Sequence, residues 1–108
     1  MYNDIKRLVA ANLQIPAAVG ALYTAPVGKR VQIGLIVLHN TNATSENIQI
    51  FDNGATDPFK LMYITLTSNE TLEFSPKLPI TLEGGESLRG ATTTAAKVNV
   101  KIYGREEQ

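Results

Sequence analysis

The residues able to carry chemistry are few and scattered along the 108 positions. The single histidine, His39, ends an apolar run. To work as an acid or base it needs a nucleophile or carboxylate held beside it, and the local sequence supplies none. A zinc site takes three or four N, S or O ligands, and a chain with one His and no Cys is a poor source of them. Asp52, Asn53 and Asp57 share a Gly-containing loop of the oxygen-rich kind that can hold calcium. Their spacing departs from the D-x-[DN]-x-[DN]-G pattern and suits a turn in which Asp and Asn side chains bond their own backbone. Glu83 and Glu86 flank Gly84-Gly85. Paired carboxylates can do acid–base work, yet on an exposed hairpin turn nothing desolvates them. That turn also lacks the strand–turn–helix setting of a phosphate-binding loop, and no Ser stands in a G-x-S-x-G elbow. Asn42-Ala43-Thr44 and Asn69-Glu70-Thr71 match only the short glycosylation pattern, with no secretion signal beside them. The expectation is a protein that is not an enzyme, with no cofactor and no metal.

The elements that would position these residues read as strands. Short apolar runs recur between Gly, Pro, Asn and Asp, and stripes of helical period are absent. Arg30–His39 begins in alternation and ends in Leu35-Ile36-Val37-Leu38, a run that asks for cover on both faces. Asn47–Phe51 puts Ile48 and Ile50 on one side. Phe59–Leu66 is apolar on both: Phe59, Leu61 and Tyr63 line one face, and Met62, Ile64 and Leu66 the other. Thr71–Phe74 is short, Leu78–Leu82 places Leu78, Ile80 and Leu82 inward, and Lys97–Tyr103 alternates cleanly, with Val98, Val100 and Ile102 inward. Asn53-Gly54 suits positions of positive φ, and Gly84-Gly85 suits a hairpin.

The fold class expected is therefore all-β, a single-domain antiparallel β-sandwich of about seven or eight strands, jelly-roll or immunoglobulin-like. Residues 1–20 read as an N-terminal arm or first strand with a short helical turn, and 21–108 as the sandwich. A chain of this size buries roughly two-thirds of its unfolded surface, enough for one core.

Composition narrows the partners. Ten Lys/Arg balance ten Asp/Glu, and the widest basic cluster is Lys29-Arg30. Phosphate binding needs a local excess of cations, so nucleic acid is not the expected partner. No apolar run approaches the ~20 residues that cross a bilayer, and the opening MYNDIKRLVAANLQIP has no continuous apolar region of a signal peptide. No membrane partner is expected. Near-neutral charge removes self-repulsion and favours association.

Three stretches carry a family likeness: LYTAPVGKRV (Leu22–Val31), IVLHNTNATSENIQIF (Ile36–Phe51) and LPITLEGGESLRGATTTAAKVNVKIYGRE (Leu78–Glu106). Leu22, Tyr23, Thr24, Pro26, Gly28 and Lys29 open the pattern, followed by Asn40 and Thr41. Leu82, Gly84, Gly85, Leu88 and Gly90 form its later part, and Val98, Val100, Ile102, Gly104 and Glu106 close it. The chain resembles small virion proteins of tailed bacteriophages. The resemblance implies a β-sandwich that is a head, neck or tail component, assembled in the host cytoplasm and resident in the virion. It brings no catalytic residues.

The leading expectation is a capsid decoration protein, with a neck or tail component and a carbohydrate- or receptor-binding module as alternatives. The last would use the loops Asn40–Asn47 and Asp52–Pro58. The partners expected are copies of the chain itself, with a trimer as one arrangement, and other virion proteins such as the major capsid protein. Ile5, Leu8 and Val9 of the arm, and Phe59, Leu61, Met62, Tyr63 and Ile64, are the expected core-plus-interface residues.

Overall fold

The computed structural model describes residues 5–107, so the first four residues of the expected arm and Gln108 lie outside the described residues. Nine β-strands are described: β1 (Lys6–Arg7), β2 (Gly20–Thr24), β3 (Arg30–Asn40), β4 (Glu46–Asp52), β5 (Lys60–Leu66), β6 (Thr71–Phe74), β7 (Ile80–Glu83), β8 (Ser87–Thr92) and β9 (Val98–Glu107). A one-turn 3-10 helix, Asp57–Phe59, precedes β5.

All pairings are antiparallel and fall into two sheets. The first runs β1-β9-β3-β6, with β7 also on β3; the second runs β2-β8-β4-β5. β6 pairs with residues 36–39 of β3 and β7 with residues 30–33, so the two are halves of one interrupted strand. Counted that way there are eight strands, ordered 1-8-3-6 in one sheet and 2-7-4-5 in the other. That is the jelly-roll order, and it decides between the two sandwich types open from the sequence.

The inward rows alternate as pleating requires. Val31, Ile33, Ile36 and Leu38 of β3 and Val98, Val100 and Ile102 of β9 meet Ile48 and Ile50 of β4 and Leu22 and Leu88 of the second sheet, all in one buried cluster. Each such side chain contributes roughly 1.5–3 kcal/mol by leaving water. The register of β3 against β9 slips between Ile33 and Leu35. Gly34 absorbs the extra residue, so Leu35 and Val37 turn to the outer face while Ile36 and Leu38 stay inside. The cover that the apolar run asks for on its outer side is partial, since Leu35 and Val37 are half-buried.

Four local expectations are corrected. The stretch 5–16 forms no helix and holds a single-bonded turn, Leu13 N donating to Ala10 O (3.2 Å). It runs along β9, with Leu8 N donating to Ile102 O (2.8 Å) and Ile15 N to Val98 O (3.0 Å), and Ile15 is fully buried. The described part of the arm is thus a first strand of the sandwich and not a free extension. Gly84-Gly85 does not form a hairpin, because β7 and β8 belong to different sheets. The turn carries the chain across, pressed against the Pro26–Gly28 turn: a Cβ on Gly84 would stand 2.9 Å from Gly28 N and 3.0 Å from Pro26 O, and Gly85 has φ +91. Leu78 is exposed, since β7 starts only at Ile80. Phe59 belongs to the 3-10 turn, its ring lying where a Cβ on Gly54 would be, so Gly54 serves close packing while Asn53 alone takes positive φ.

Candidate functional site

The loop end of the sandwich is occupied by its own polar groups. Asn40 is fully buried. Its Nδ2 donates to the carbonyls of Thr44 and Leu66 (3.0 Å each) and of Thr67 (3.1 Å), and its Oδ1 accepts from Asn42 N. Glu46, also buried, accepts from Thr94 N and from Asn42 Nδ2 at 2.8 Å each. Burial alone would raise the Glu46 pKa, but these hydrogen bonds and the charge of Lys97 outweigh it and hold the carboxyl below its ordinary value. These two residues are structural, and nothing in a loop-like composition marks them as buried.

The other chemistry-bearing residues are likewise tied into the frame. His39 Nδ1 lies 2.6 Å from Thr71 Oγ1, its cross-strand neighbour. Asn53 Oδ1 accepts from Ser87 N, Asp57 pairs with Lys60 at 3.1 Å, and Glu83 pairs with Arg30 at 3.1 Å. Glu86 Oε1 accepts from Glu83 N. Burial, then the charge of Glu86, raises the Asp52 pKa. Among the described residues no group of three or more His, Cys, Asp or Glu is placed to hold a metal ion.

Among the described residues, two exposed apolar patches lie on the outer sides of the two sheets. On the second sheet, β5 is an edge strand. Its inner row, Met62, Ile64 and Leu66, packs on the core. Its outer row is open: Leu61 is 41% and Tyr63 58% exposed, and Phe59 beside them is 46% exposed. The eight residues expected to make core and interface therefore divide. Met62 and Ile64, with Leu8 and Val9, are partly buried and pack against the core. Phe59, Leu61, Tyr63 and Ile5 are exposed. The register shifts between Ile50 and Phe51, leaving Leu61 as a bulge. Lys60 reaches over the rings of Phe51 (5.9 Å) and Tyr63 (5.1 Å), covering one edge of this patch.

On the first sheet a groove of about 510 Å³ opens on the outer face, lined by Ile5, Gln32, Leu35, Pro79, Tyr103 and Arg105 among others. It lies where β6 and β7 leave β3 uncovered. Arg7 and Leu35 both oppose Tyr103 in register, from β1 and β3. Lys101 and Arg105 stand two residues to either side on β9 and so share its face. The sequence shows Lys101 and Arg105 by alternation, but Arg7 joins them only through the pairing of β1 with β9.

The β1 margin of that groove is pinned from inside. Lys6 Nζ contacts Glu106 Oε1 at 2.7 Å, and Tyr23 Oη donates to Glu106 Oε2 at 3.2 Å, tying the two sheets together. Neither a family model, a curated protein nor a solved structure matches the chain.

Proposed function

We propose that this chain is a non-enzymatic structural subunit of a tailed-phage virion, in the role of an auxiliary protein that decorates the capsid. The observation that carries this reading is the outer side of β5, where Leu61 and Tyr63, with Phe59, project into solvent from an edge strand. An edge strand offers unpaired backbone groups to another chain, and a contiguous apolar patch beside it rewards coverage. Self-association through this strand gives main-chain bonds and apolar burial together. The jelly roll is a fold used by viral capsid proteins and by lectins alike; fold alone does not choose. The choice rests on the β5 surface and on the residue likeness in the stretches 22–31, 36–51 and 78–106.

The test is assembly. Sedimentation of the purified chain should show a homo-oligomer, and particles of the phage that encodes it should bind the chain at regular positions by cryo-electron microscopy. Copy number separates the roles: many copies spread over the head mean decoration, whereas a single ring means neck or tail. A chain that stays monomeric at high concentration and binds no particle overturns the reading.

A further inference from the structure

We propose that two copies of the chain pair β5 to β5, antiparallel about a two-fold axis at Tyr63, so that two four-stranded sheets join into one of eight. This rests on the reading of β5 as a self-association surface and gives that contact its partner strand, direction and register.

Four of the five outer strands carry features that keep a neighbouring strand away. β1 is two residues long and both are charged. β2 begins at Gly20, and its register is broken between Ala21 and Tyr23. β6 and β7 have four residues each; Pro76 follows the first and Pro79 precedes the second. β5 has seven residues with no Pro or Gly and one charge, Lys60 at its start. Its one irregularity lies beside Leu61, and residues 62–66 pair with β4 without a break. Neither row of β5 is closed. The outer row, Leu61 and Tyr63, is exposed, and Met62 and Ile64 of the inner row are only partly buried. A strand laid along this edge covers both rows and satisfies its free N–H and C=O groups together.

A second β5 meets these terms. Antiparallel with Tyr63 at the axis, all seven positions of each strand overlap. Tyr63 then opposes its twin on the outer side, and Met62 opposes Ile64 on the inner one. Cross-strand aromatic and apolar pairs of this kind stabilise a sheet. Each Lys60 is carried to the far end of the other strand, about 20 Å from its twin at ~3.4 Å per residue. There it comes next to Thr67, whose N–H donates to the exposed Glu70 carboxylate at 2.7 Å. Parallel pairing in full overlap sets Lys60 beside Lys60. A foreign strand serves the backbone edge equally; the cross-strand pairs and the placement of charge favour a second copy.

The chain has no cysteine, so single cysteines placed on the exposed row report the geometry by oxidation. Tyr63→Cys should form a disulfide-linked dimer at least about tenfold faster than Leu78→Cys, because a disulfide needs Cα atoms about 4.4–6.8 Å apart. Leu78 is the control, exposed between β6 and β7. Leu61→Cys mixed with Thr65→Cys should give the mixed dimer. Neither should link alone, since its twins stand four residues apart, about 14 Å. In the unaltered chain, which no substitution can unfold, β5 amides should exchange with deuterium at least about tenfold more slowly in the oligomer than after dilution to monomer. Self-linking of Leu61→Cys or Thr65→Cys, or a Tyr63→Cys/Thr65→Cys product in place of the Tyr63→Cys dimer, overturns the pairing. So do unprotected β5 amides in an intact oligomer, and so does a trimer, which has no two-fold axis; in each case self-association itself stands. A monomer that binds phage particles overturns the pairing and self-association, and a monomer that binds none overturns the structural-subunit reading with them.

Discussion

The two outer faces of this sandwich expose apolar surface in different ways. On the second sheet it stands proud, on an edge strand whose outer row is Leu61 and Tyr63. On the first sheet it is sunk between strands, where Gly34 turns Leu35 outward and the break between β6 and β7 leaves it uncovered. The exposed row is flanked by a cation already engaged with aromatic rings, Lys60 over Phe51 and Tyr63. The sunken groove is lined by Ile5, Leu35, Pro79 and Tyr103 among others. An apolar ridge on an edge strand offers backbone pairing together with apolar burial, and a groove between strands offers burial alone. Position in the sheet, more than composition, sets which kind of contact each face can make.

The sharpest way to break this comparison is to test the two rows of β5 against each other. Ile64 packs on the core, whereas Tyr63, the next residue, faces solvent. Ile64→Asp places a charge against apolar neighbours and should cost about 3 kcal/mol or more, read as a lower urea midpoint or outright failure to fold. An Ile64→Asp chain as stable as the parent, but dissociated, would mean that the inner and outer rows have been assigned the wrong way round.

A second substitution separates both faces from the loop end. Asn40→Ala removes the donor that serves three carbonyls and the acceptor of Asn42 N. Buried groups left unpaired cost about 2–3 kcal/mol in total, visible as a lower melting temperature. Self-association should persist wherever the chain is still folded. Loss of assembly at temperatures well below the melt would transfer the contact to the 40–47 loop and favour the loop-borne recognition weighed from the sequence.

The contrast between these two substitutions shows what the sequence could reveal. The rows of β9 are legible because Val98, Val100 and Ile102 alternate with polar residues, and period two has one structural meaning. The two-faced character of 59–66 is legible too, but not which face is inside, because both are apolar. Asn40 and Glu46 are illegible: a buried Asn and a solvent-exposed Asn look alike in an NTNATSEN loop. Gly84-Gly85 reads as a turn correctly and as a hairpin wrongly, since glycine chemistry fixes the bend and not the sheet to which the next strand returns. The groove escapes for a different reason. Its lining comes from Ile5, Gln32, Leu35, Pro79 and Tyr103, joined only by long-range pairing.

Tyr63→Asp tests the ridge itself. The side chain is 58% exposed, so folding stability should change by no more than about 1 kcal/mol, most of it the lost contact with Lys60. The dissociation constant of the oligomer should rise about tenfold or more, as for a central aromatic anchor, measured by sedimentation equilibrium. If Tyr63→Asp leaves the dissociation constant unchanged, the ridge is not the contact and the comparison fails.

The smallest expected effect concerns the inner pin of the groove margin, and its sign differs at the two ends of the pH range. Glu106 is held below the ordinary carboxylate pKa chiefly by its hydrogen bond from Lys6, with burial opposing and the charges of Lys6 and Lys29 and the Tyr23 hydroxyl assisting. A depressed folded pKa contributes stability above the unfolded value of about 4.3 and loses it as pH falls through the folded value. Tyr23 is pushed up to about 12 by burial and then by the charge and hydrogen bond of Glu106. That contribution is complete below the unfolded value of about 10 and is lost as pH rises through the folded one. Because Lys6 is 58% exposed, solvent screening keeps the acid-side contribution under about 1 kcal/mol. The β1 margin should therefore be firmest between about pH 5 and 10, where both groups hold their folded-state protonation. Methyl NMR can follow Ile5 beside β1 and Ile64 beneath the ridge in one sample. The Ile5 signal should drift towards its random-coil position at either extreme while Ile64 stays fixed. Simultaneous movement of both would show that the pin holds the whole sandwich, leaving no independent margin for the groove.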